Sequence, residues 1–470
     1  MIDAAQLMGL LPQQRWFGGK GRKIERIDVV DEAVLTDGAP SLVFAIVSVH
    51  LSDGAQHLYN VPLLVEDDGS PTDAFDDVDR LRVLGSLMTQ GETIKGSYGM
   101  FHFGGPGLDP RSPPGSSSIR PMGVEQSNSS VVFDESVILK LFRRVASGPN
   151  PDLELSRLLT NDGFENIPAH VGEILYEGVI DGEEIEIDLG VAQQLVKEAQ
   201  EGWQETVERL RELYDEAHEA RSVREFVEQR AAKNLEDITK LGDVTASLHV
   251  LLSREELDPD VVSEQIDDQD MKEVAERTRA SLQALLDSGF PELEQYSEAI
   301  DERVRQSLTI RDAGKKTRVH GDYHLGQVLL APRGWMILDF EGEPMRSLDE
   351  RRAKQSPLKD VAGMLRSFSY AASAALFERA QPDSDEWDRL QPWAQAWEDL
   401  ARQRFLAAYL RTSHEEQFLP AERDDLAVVL DVFEIEKALY ELDYERSHRP
   451  DWIRIPLRGI AQVIERGTNR

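Results

Sequence analysis

The residues best suited to chemistry in this sequence are Asp322, Gln327 and Asp339, which lie within one short segment. In HGDYHLGQ (320–327), Asp322 precedes Gln327 by five positions. A catalytic aspartate precedes a metal-binding amide by the same interval in kinase catalytic loops. The apolar run WMIL ends at Leu338. Asp339 follows it, twelve residues after Gln327. We therefore predict phosphoryl transfer with Asp322 as the base, and Mg²⁺ held by Gln327 and Asp339.

A lysine and several polar side chains upstream are candidates for nucleotide binding. Lys140 ends the apolar run VILK, and Glu154 follows fourteen residues later on a predicted helix, as expected for the lysine and glutamate that position ATP in kinases. Neither GxGxxG nor a Walker A sequence precedes Lys140. In place of those glycines we expect hydroxyl and amide groups to contact the phosphates, namely those of Ser127, Asn128, Ser129 and Ser130. An ordinary polar hairpin turn is the alternative interpretation of this segment.

Two further carboxylates follow Asp339 in DFEGEP, at Glu341 and Glu343. Carboxylates this close raise one another's pKa unless a cation lies among them, so their presence strengthens the magnesium prediction. Either could bind a substrate hydroxyl or a second metal ion. A solvent-facing turn is the alternative interpretation, particularly for Glu343.

The elements that must position these residues begin with an N-terminal antiparallel sheet. Ala4 to Leu11 predicts a helix, and the β-branched and aromatic runs at 42–51 and 57–65 predict a hairpin around SDGAQ. We expect this unit to end near residue 90. The segment 101–121 is dense in Gly, Pro and Ser and predicts a long loop.

A second run of strands follows. The segment 125–144 predicts two strands joined by a turn at Asp134, and strands are also expected at 170–178 and 183–196. Between them, Asn150 is a suitable N-cap for a helix that starts at Pro151.

Helical periodicity dominates after residue 201. Helices are predicted at 202–217, 222–240, 243–253, 267–288, 357–380, 385–411 and 421–446. One strand-turn-strand segment, 317–344, interrupts them and carries HGD and DFE. We therefore predict an α+β protein with a two-lobed, eukaryotic-like kinase fold, divided into an N-terminal α+β cap (1–90), a nucleotide-binding N-lobe with hinge (91–200) and a mostly helical C-lobe (201–470).

Composition excludes several classes of function. The chain has 470 residues, 40% of them apolar and 30% charged, which is a globular balance. It has no cysteine, which excludes disulfides, thiolate metal sites and cysteine nucleophiles. A formal charge of -35 disfavours nucleic acid and anionic membranes as partners. Without a long apolar run or a leader-like N-terminus, the protein is expected in the cytoplasm.

Several longer motifs resemble one family throughout the chain. They are QRWFGGKGR, EQSNSSVVF, LKLFRR, PDLELSRLLT, HGDYHLGQVL, LDFEGEP, SPLKDVAGMLRSFSYAA and EKALYELDYERSHRPDWIRIPLRGI. The sequence thereby resembles the maltokinases of actinobacteria, which are relatives of the aminoglycoside phosphotransferases. The resemblance implies transfer of the ATP γ-phosphate to the anomeric hydroxyl of maltose, which gives maltose 1-phosphate for glycogen and other α-glucans.

The resemblance also implies roles for individual residues. Asp322 would be the base, Gln327 and Asp339 would hold Mg²⁺, and Lys140 would bind nucleotide. The segment from Gln193 to Val196 would join the lobes beside the adenine.

The acceptor site is expected in the C-lobe, because sugar sites combine aromatic side chains with charged hydrogen-bonding partners. His324 follows the base by two positions, and Glu441 and Tyr444 lie on a predicted helix with Lys437, Tyr440 and Arg449 nearby. An ordinary amphipathic helix is the alternative interpretation of the last group.

Three other functions remain open at this stage. A related actinobacterial family phosphorylates glucosamine with the same catalytic loop. The missing glycine-rich loop would also suit a non-catalytic, nucleotide-binding pseudokinase, and the acidic charge would suit a polycationic aminoglycoside acceptor. The expected partners are a small sugar and ATP, with a monomer or weak homodimer and contact with other α-glucan synthesis enzymes as further expectations.

Overall fold

The computed structural model of the protein describes residues 2–123, 127–180, 182–217, 222–254, 260–343, 346–414 and 416–468. The chain forms two compact units. The first comprises Met1–Lys197 and Pro344–Arg351, and the second comprises Glu198–Glu343 and Arg352–Arg470.

The first unit contains two antiparallel sheets, with helices packed against them. Its helices are α1 (Ala4–Leu10), α2 (Arg82–Gln90) and α3 (Pro151–Asn161). Its strands, in chain order, are β1 (Ile24–Val34), β2 (Ser41–Leu51), β3 (Gln56–Val65), β4 (Pro71–Asp73), β5 (Thr93–Lys95), β6 (Met100–Gly104), β7 (Ile119–Pro121), β8 (Asn128–Phe133), β9 (Val137–Phe142), β10 (Arg144–Val145), β11 (His170–Ile180) and β12 (Glu183–Gln194). One sheet has the order β1-β2-β3-β10 with β4 paired to β3, and the other has the order β5-β6-β11-β12-β9-β8-β7.

Strand β2 is buried on both faces because it lies between two apolar cores. Alternate residues of a strand point to opposite faces. Leu42, Phe44 and Ile46 accordingly belong to the core that includes the residues of the seven-stranded sheet. Val43 and Ala45 belong to a second core, which includes apolar side chains of α1. This double burial explains why the sequence of β2 is an almost continuous apolar run.

The second unit is mainly helical. Its strands are β13 (Gln200–Glu201), β14 (Glu264–Gln265), β15 (Lys315–Lys316), β16 (Val328–Ala331) and β17 (Gly334–Ile337). Its helices are α4 (Gly202–Asp215), α5 (Val223–Arg230), α6 (Ala232–Leu252), α7 (Asp268–Asp287), α8 (Glu294–Ser307), α10 (Leu358–Arg379), α11 (Asp385–Thr412), α12 (Arg423–His448) and α13 (Arg454–Thr468), while α9 (Leu348–Arg352) lies where the chain returns to this unit. The pairing order β13-β16-β17 forms a small antiparallel sheet.

Helix α10 lies at the centre of the second unit. Most of its residues are buried, from Leu358 to Leu376. At Gly363 a Cβ atom would lie 2.6 Å from the carbonyl oxygen of Tyr323, which is closer than real Cβ contacts allow. Glycine therefore lets the helix backbone pack directly against the segment that carries Asp322.

Most predicted elements are present, with several corrections. The segment 101–121 is not a continuous loop, because β6 and β7 occupy its two ends. The predicted break near residue 241 is absent, since α6 continues through it. The sequence patterns also missed β1, α8 and α13. The first two residues of the predicted 125–144 hairpin lie outside the described residues. Within those residues, no helix has the combination of length and apolar character needed to cross a membrane.

Candidate active site

The loop that carries Asp322 is held in place by Asp360 of α10. The Asp360 carboxylate accepts hydrogen bonds from the backbone N–H of His320 at 2.8 Å and of Gly321 at 2.9 Å. It also lies 3.2 Å from Nε2 of the buried His249. Gly321 has a φ of +85°, a conformation that glycine adopts without strain. These contacts fix the backbone immediately before Asp322.

His320 orients this loop. The backbone N–H of Asp322 donates to Nδ1 of His320 at 3.4 Å, and His320 Nε2 lies 2.8 Å from the carbonyl oxygen of Leu338. Nδ1 accepts, so Nε2 carries the hydrogen and donates it to Leu338. The side chain is 1% exposed. His320 thus connects the loop of Asp322 to the strand end that precedes Asp339.

The carboxylate of Asp322 faces a lysine of α12. Lys437 Nζ lies 3.5 Å from Asp322 Oδ1 and 3.3 Å from Glu343 Oε1. Burial opposes the charge on this ammonium, but the two carboxylates outweigh burial and raise the pKa of Lys437 above its ordinary value. His324 Nε2 lies 3.9 Å from Asp322 Oδ2. A permanent cation and an imidazole therefore flank the predicted base.

Gln327 and Asp339 lie together, as their spacing predicts. Gln327 Nε2 lies 3.4 Å from Asp339 Oδ2, and the Leu338 N–H donates to the Gln327 carbonyl oxygen at 2.9 Å. Asp339 lies two positions beyond the end of the buried strand β17. It has a φ of +60°, which is unusual for a residue with a side chain. Glu341 follows in a turn at a half-buried position.

The predicted nucleotide lysine pairs with a residue that the sequence patterns did not single out. On β9, Lys140 Nζ lies 3.0 Å from Oδ2 of Asp152, whose side chain is 2% exposed. Asp152 lies in the first turn of α3, two positions before Glu154. The role of Glu154 stays a prediction. Both Asp152 and Glu154 lie in this first turn, and spacing alone does not select between them.

The four polar residues before Lys140 differ in where they lie. Ser130 pairs directly with Lys140 across β8 and β9, so the two side chains share a face of the sheet. The hydroxyl of Ser129 instead accepts a hydrogen bond from Arg143 Nε at 2.8 Å. Asn128 begins β8, and Ser127 is exposed before it. Phosphate contacts by this group stay a prediction.

The predicted hinge residues lie at the end of β12. Gln193 is in the strand, where its side-chain Nε2 donates to the Ser156 hydroxyl of α3 at 2.8 Å. The strand ends at Gln194, and Val196 follows at a half-buried position. Contact with adenine stays a prediction for both residues.

A cavity of about 340 Å³ lies beside the catalytic loop. The residues around it include the predicted acceptor ligands His324, Glu441 and Tyr444, together with Lys437, Tyr440 and Arg449. Sequence reasoning missed the other polar and aromatic lining side chains, which are Glu201, Trp203, Ser367, Tyr370, Glu445 and Trp452. They come from α10, the β13–α4 region, α12 and the α12–α13 connection, so no local motif relates them.

Glu441 is already engaged in a buried ion pair. Arg366 donates to Glu441 Oε2 from Nε at 3.0 Å and from Nη2 at 2.8 Å. Burial opposes the charge of this guanidinium, but the Glu441 carboxylate outweighs it and raises the pKa of Arg366. Arg366 therefore holds the Glu441 carboxylate, which lines the cavity, in a fixed position.

Comparison with known proteins identifies the family of the chain. Residues 118–393, more than half of the chain, match the phosphotransferase enzyme family. The chain belongs to this family. Residues 10–90 match the maltokinase N-terminal cap domain. This confirms the predicted membership of the aminoglycoside phosphotransferase superfamily, with a maltokinase-type cap, and the predicted enzyme class, a phosphotransferase of the kinase type.

The relatives of this phosphotransferase include curated glucosamine kinases. One, from Mycolicibacterium smegmatis (strain ATCC 700084 / mc(2)155), is 26% identical over 355 residues, which cover 74% of this chain and 80% of the relative. Another, from Streptacidiphilus jiangxiensis, is 26% identical over 350 residues, which cover 73% of this chain and 72% of the relative.

A solved glucosamine kinase in complex with glucosamine, ADP and inorganic phosphate has the same fold as this phosphotransferase. It superposes with a TM-score of 0.68 at 20% identity, covering 98% of this chain and all of that one (100%). The likeness confirms the predicted α+β, kinase-like fold with its cap.

Proposed function

We propose that this phosphotransferase is an ATP- and magnesium-dependent carbohydrate kinase that phosphorylates maltose at its anomeric hydroxyl, giving maltose 1-phosphate for glycogen and α-glucan synthesis. The observation that carries the proposal is the cavity beside Asp322, in which His324 of the catalytic loop lies with Tyr370, Tyr444 and Trp452. Aromatic faces combined with charged hydrogen-bonding groups suit a sugar. The maltokinase-type cap favours maltose among sugars.

Asp322 is the proposed catalytic base. The anomeric O–H of the sugar transfers its proton to the Asp322 carboxylate as the sugar oxygen forms a bond to the γ-phosphorus of ATP. The bond from that phosphorus to the β–γ bridging oxygen breaks, and ADP leaves. Lys437 stays protonated beside Asp322 and orients its carboxylate. The hydrogen bonds from His320 and Gly321 to Asp360 hold the loop still during this step.

The residues at 327 and 339 fit a magnesium ion. A carboxylate and a side-chain amide supply the oxygen ligands that Mg²⁺ prefers, and Gln327 reaches within 3.4 Å of Asp339. Rotation of the Gln327 amide presents its oxygen in place of its nitrogen. The bound ion would neutralise charge on the ATP phosphates. Glu341, two residues beyond Asp339, is proposed as a further sugar or metal ligand.

Nucleotide binding is assigned to the first unit. Lys140, which pairs with Asp152, is proposed to contact the α- and β-phosphates of ATP. Glu154 of α3 is proposed to help position Lys140. The phosphate contacts of a glycine-rich loop are proposed to come instead from Ser127, Asn128, Ser129 and Ser130. The Ser129 hydroxyl would then contact phosphate while it also accepts the hydrogen bond from Arg143. The adenine is proposed to bind beside Gln193 and Val196.

Glucosamine is the second candidate acceptor. The curated relatives are named glucosamine kinases, and the cavity includes the carboxylate of Glu201. Glu441 and Glu445 are held by arginines, whereas among the described residues the Glu201 carboxylate has no ion-pair partner. Burial raises the pKa of Glu201. A protonated amino sugar would be a suitable counter-ion for it.

An acceptor panel tests the proposal. Purified full-length protein with ATP and Mg²⁺ is assayed for ADP release and phosphorylated product with maltose, glucosamine, glucose, an aminoglycoside and choline. Maltose is expected to give the highest kcat/KM. Phosphorylation of glucosamine without maltose would contradict the maltose assignment and support the second candidate. Metal-dependent nucleotide binding without turnover on any acceptor would instead indicate a pseudokinase.

A further inference from the structure

A second cavity lies directly beside the acceptor cavity. It has a volume of about 500 Å³ and shares three lining residues with the first cavity, namely Trp203, Arg449 and Trp452. Its own lining comes from α4 and from the C-terminal part of α10, including Arg211 and Phe377. The two cavities thus form neighbouring compartments on one face of the second unit.

Aromatic rings continue from one cavity into the other. The Trp452 ring lies 6.1 Å from that of Tyr370, which lines the acceptor cavity, and 5.6 Å from that of Phe377, which lines the second cavity. Phe377 and Trp452 are stacked at an interplanar angle of 20°. The Arg449 guanidinium lies 4.3 Å from the centre of the Trp452 ring. Because Phe377 and Arg449 already cover the Trp452 ring, the apolar surface offered to the C–H groups of successive sugar rings comes from the half-buried rings of Tyr370 and Phe377.

The second cavity also has polar groups suited to sugar hydroxyls. Arg211 and Glu378 form a two-bond ion pair through Nε at 2.5 Å and Nη2 at 2.7 Å. Both side chains are over 40% exposed, at 41% and 47%. The remaining guanidinium donors and carboxylate lone pairs of this pair face solvent and can bind hydroxyls. Gln204 and Glu208 of α4 add further groups to the lining.

We propose that this second cavity binds the third and later glucosyl units of an α-linked gluco-oligosaccharide whose reducing end occupies the acceptor cavity. This inference rests on the proposed function. His324 and Lys437, which contact Asp322, mark where the anomeric hydroxyl lies. The opposite end of a bound maltose then points towards the shared wall of Trp203 and Trp452. An oligosaccharide with one more unit passes this wall and reaches Phe377.

Binding of maltose and maltotriose to full-length protein carrying Asp322→Asn, in the absence of ATP, tests the proposal by calorimetry. Maltotriose is expected to bind about tenfold more tightly than maltose, and Phe377→Ala in the same background is expected to remove this advantage. Arg211→Ala provides a second variant at an exposed position, in case Phe377→Ala fails to fold. Tyr98→Ala, at a ring 74% exposed in the first unit, is the matched control and should change neither affinity.

The outcomes separate this inference from the proposed function. If the wild-type protein phosphorylates maltose but maltotriose binds no more tightly than maltose, the second cavity is not a sugar site and the function stands. If the protein phosphorylates glucosamine and not maltose, the proposed function is wrong. In that case, maltotriose binding that depends on Phe377 or Arg211 would still support a sugar site in the second cavity. If maltotriose does not bind in this way, both the proposed function and the second sugar site are wrong.

Discussion

Lys437 Nζ lies 3.5 Å from the carboxylate of Asp322, which connects the candidate base on the catalytic loop to helix α12, more than a hundred residues later. The same ammonium reaches Glu343 at 3.3 Å. The C-terminal helix therefore contributes directly to the electrostatics of the base.

Lys437→Met removes the cation that lies between the carboxylates of Asp322 and Glu343. Without it the Asp322 side chain loses a charge-assisted contact and its fixed orientation, so kcat/KM for the acceptor should fall at least about tenfold. KM for ATP should change little. Steady-state kinetics measure both, and Lys233→Met, at an exposed position of α6, is the matched control. Unchanged acceptor kinetics in Lys437→Met would remove this lysine from the site.

Arg366→Met leaves the Glu441 carboxylate buried without its partner. Breaking a buried pair from one side typically costs about 3–5 kcal/mol, so the free energy of unfolding in urea should fall by that amount. The control is Arg111→Met, which breaks an exposed pair with Asp109 and should cost at most about 1 kcal/mol. Equal losses in the two variants would mean that Arg366 and Glu441 are not coupled as the structure indicates.

Asp360→Asn weakens the support below the catalytic loop. Asparagine has a single side-chain acceptor oxygen, whereas Asp360 accepts from His320 N–H and Gly321 N–H on separate oxygens. Loss of such a supporting contact typically costs about 10–100-fold in activity. We expect this loss in kcat, with KM for ATP nearly unchanged. Asp215→Asn, at an exposed helix end, serves as control, and a fall in ATP affinity without a fall in kcat would argue against a positioning role.

Asp134 gives the protein a pH-dependent contribution to stability. Its carboxylate accepts backbone hydrogen bonds from Gly115, Ser117 and Ser118 at 2.7–2.9 Å. Burial opposes these bonds, but they outweigh it and lower the pKa of Asp134 to about 2. Because the pKa is lower in the folded state, the stabilisation is complete above the unfolded value near 3.8 and is lost as the pH falls from about 4 towards 2.

Asp134→Asn should therefore destabilise the protein by about 1–2 kcal/mol at pH 7, and the difference from the wild type should shrink below pH 4. Urea unfolding at several pH values measures this difference. A difference that stays constant down to pH 3 would show that the loop contacts do not depend on the charge of Asp134.

Local patterns predicted much of the fold and part of the site. Cap preferences correctly predicted that α3 starts at Pro151, where Asn150 accepts a hydrogen bond from the Asp152 N–H. The spacing of Gln327 and Asp339 correctly predicted that these two residues lie close together. Predictions failed where tertiary burial determines an element. The edge strand β1, with mixed polar and apolar residues, takes its conformation from pairing with β2.

The remaining site residues could not be found locally because the fold brings them together from distant segments. Asp360 lies on a different element from the loop that it supports. Trp203, Tyr370 and Trp452 come from separate parts of the second unit and meet only in the cavity. Likewise, the HGD segment could not predict the cation beside the base, because this cation is Lys437 of α12.

The most direct test of the central claim compares wild-type protein with Asp322→Asn in phosphoryl transfer from ATP to maltose. Single-turnover kinetics measure the chemical step, and calorimetry measures maltose and nucleotide binding in both proteins. The account predicts a rate lower by about 10²–10⁴-fold in the variant, with thermal unfolding and nucleotide affinity retained and with Asp37→Asn behaving as wild type. A variant that keeps most of the wild-type rate would contradict the assignment of Asp322 as the base.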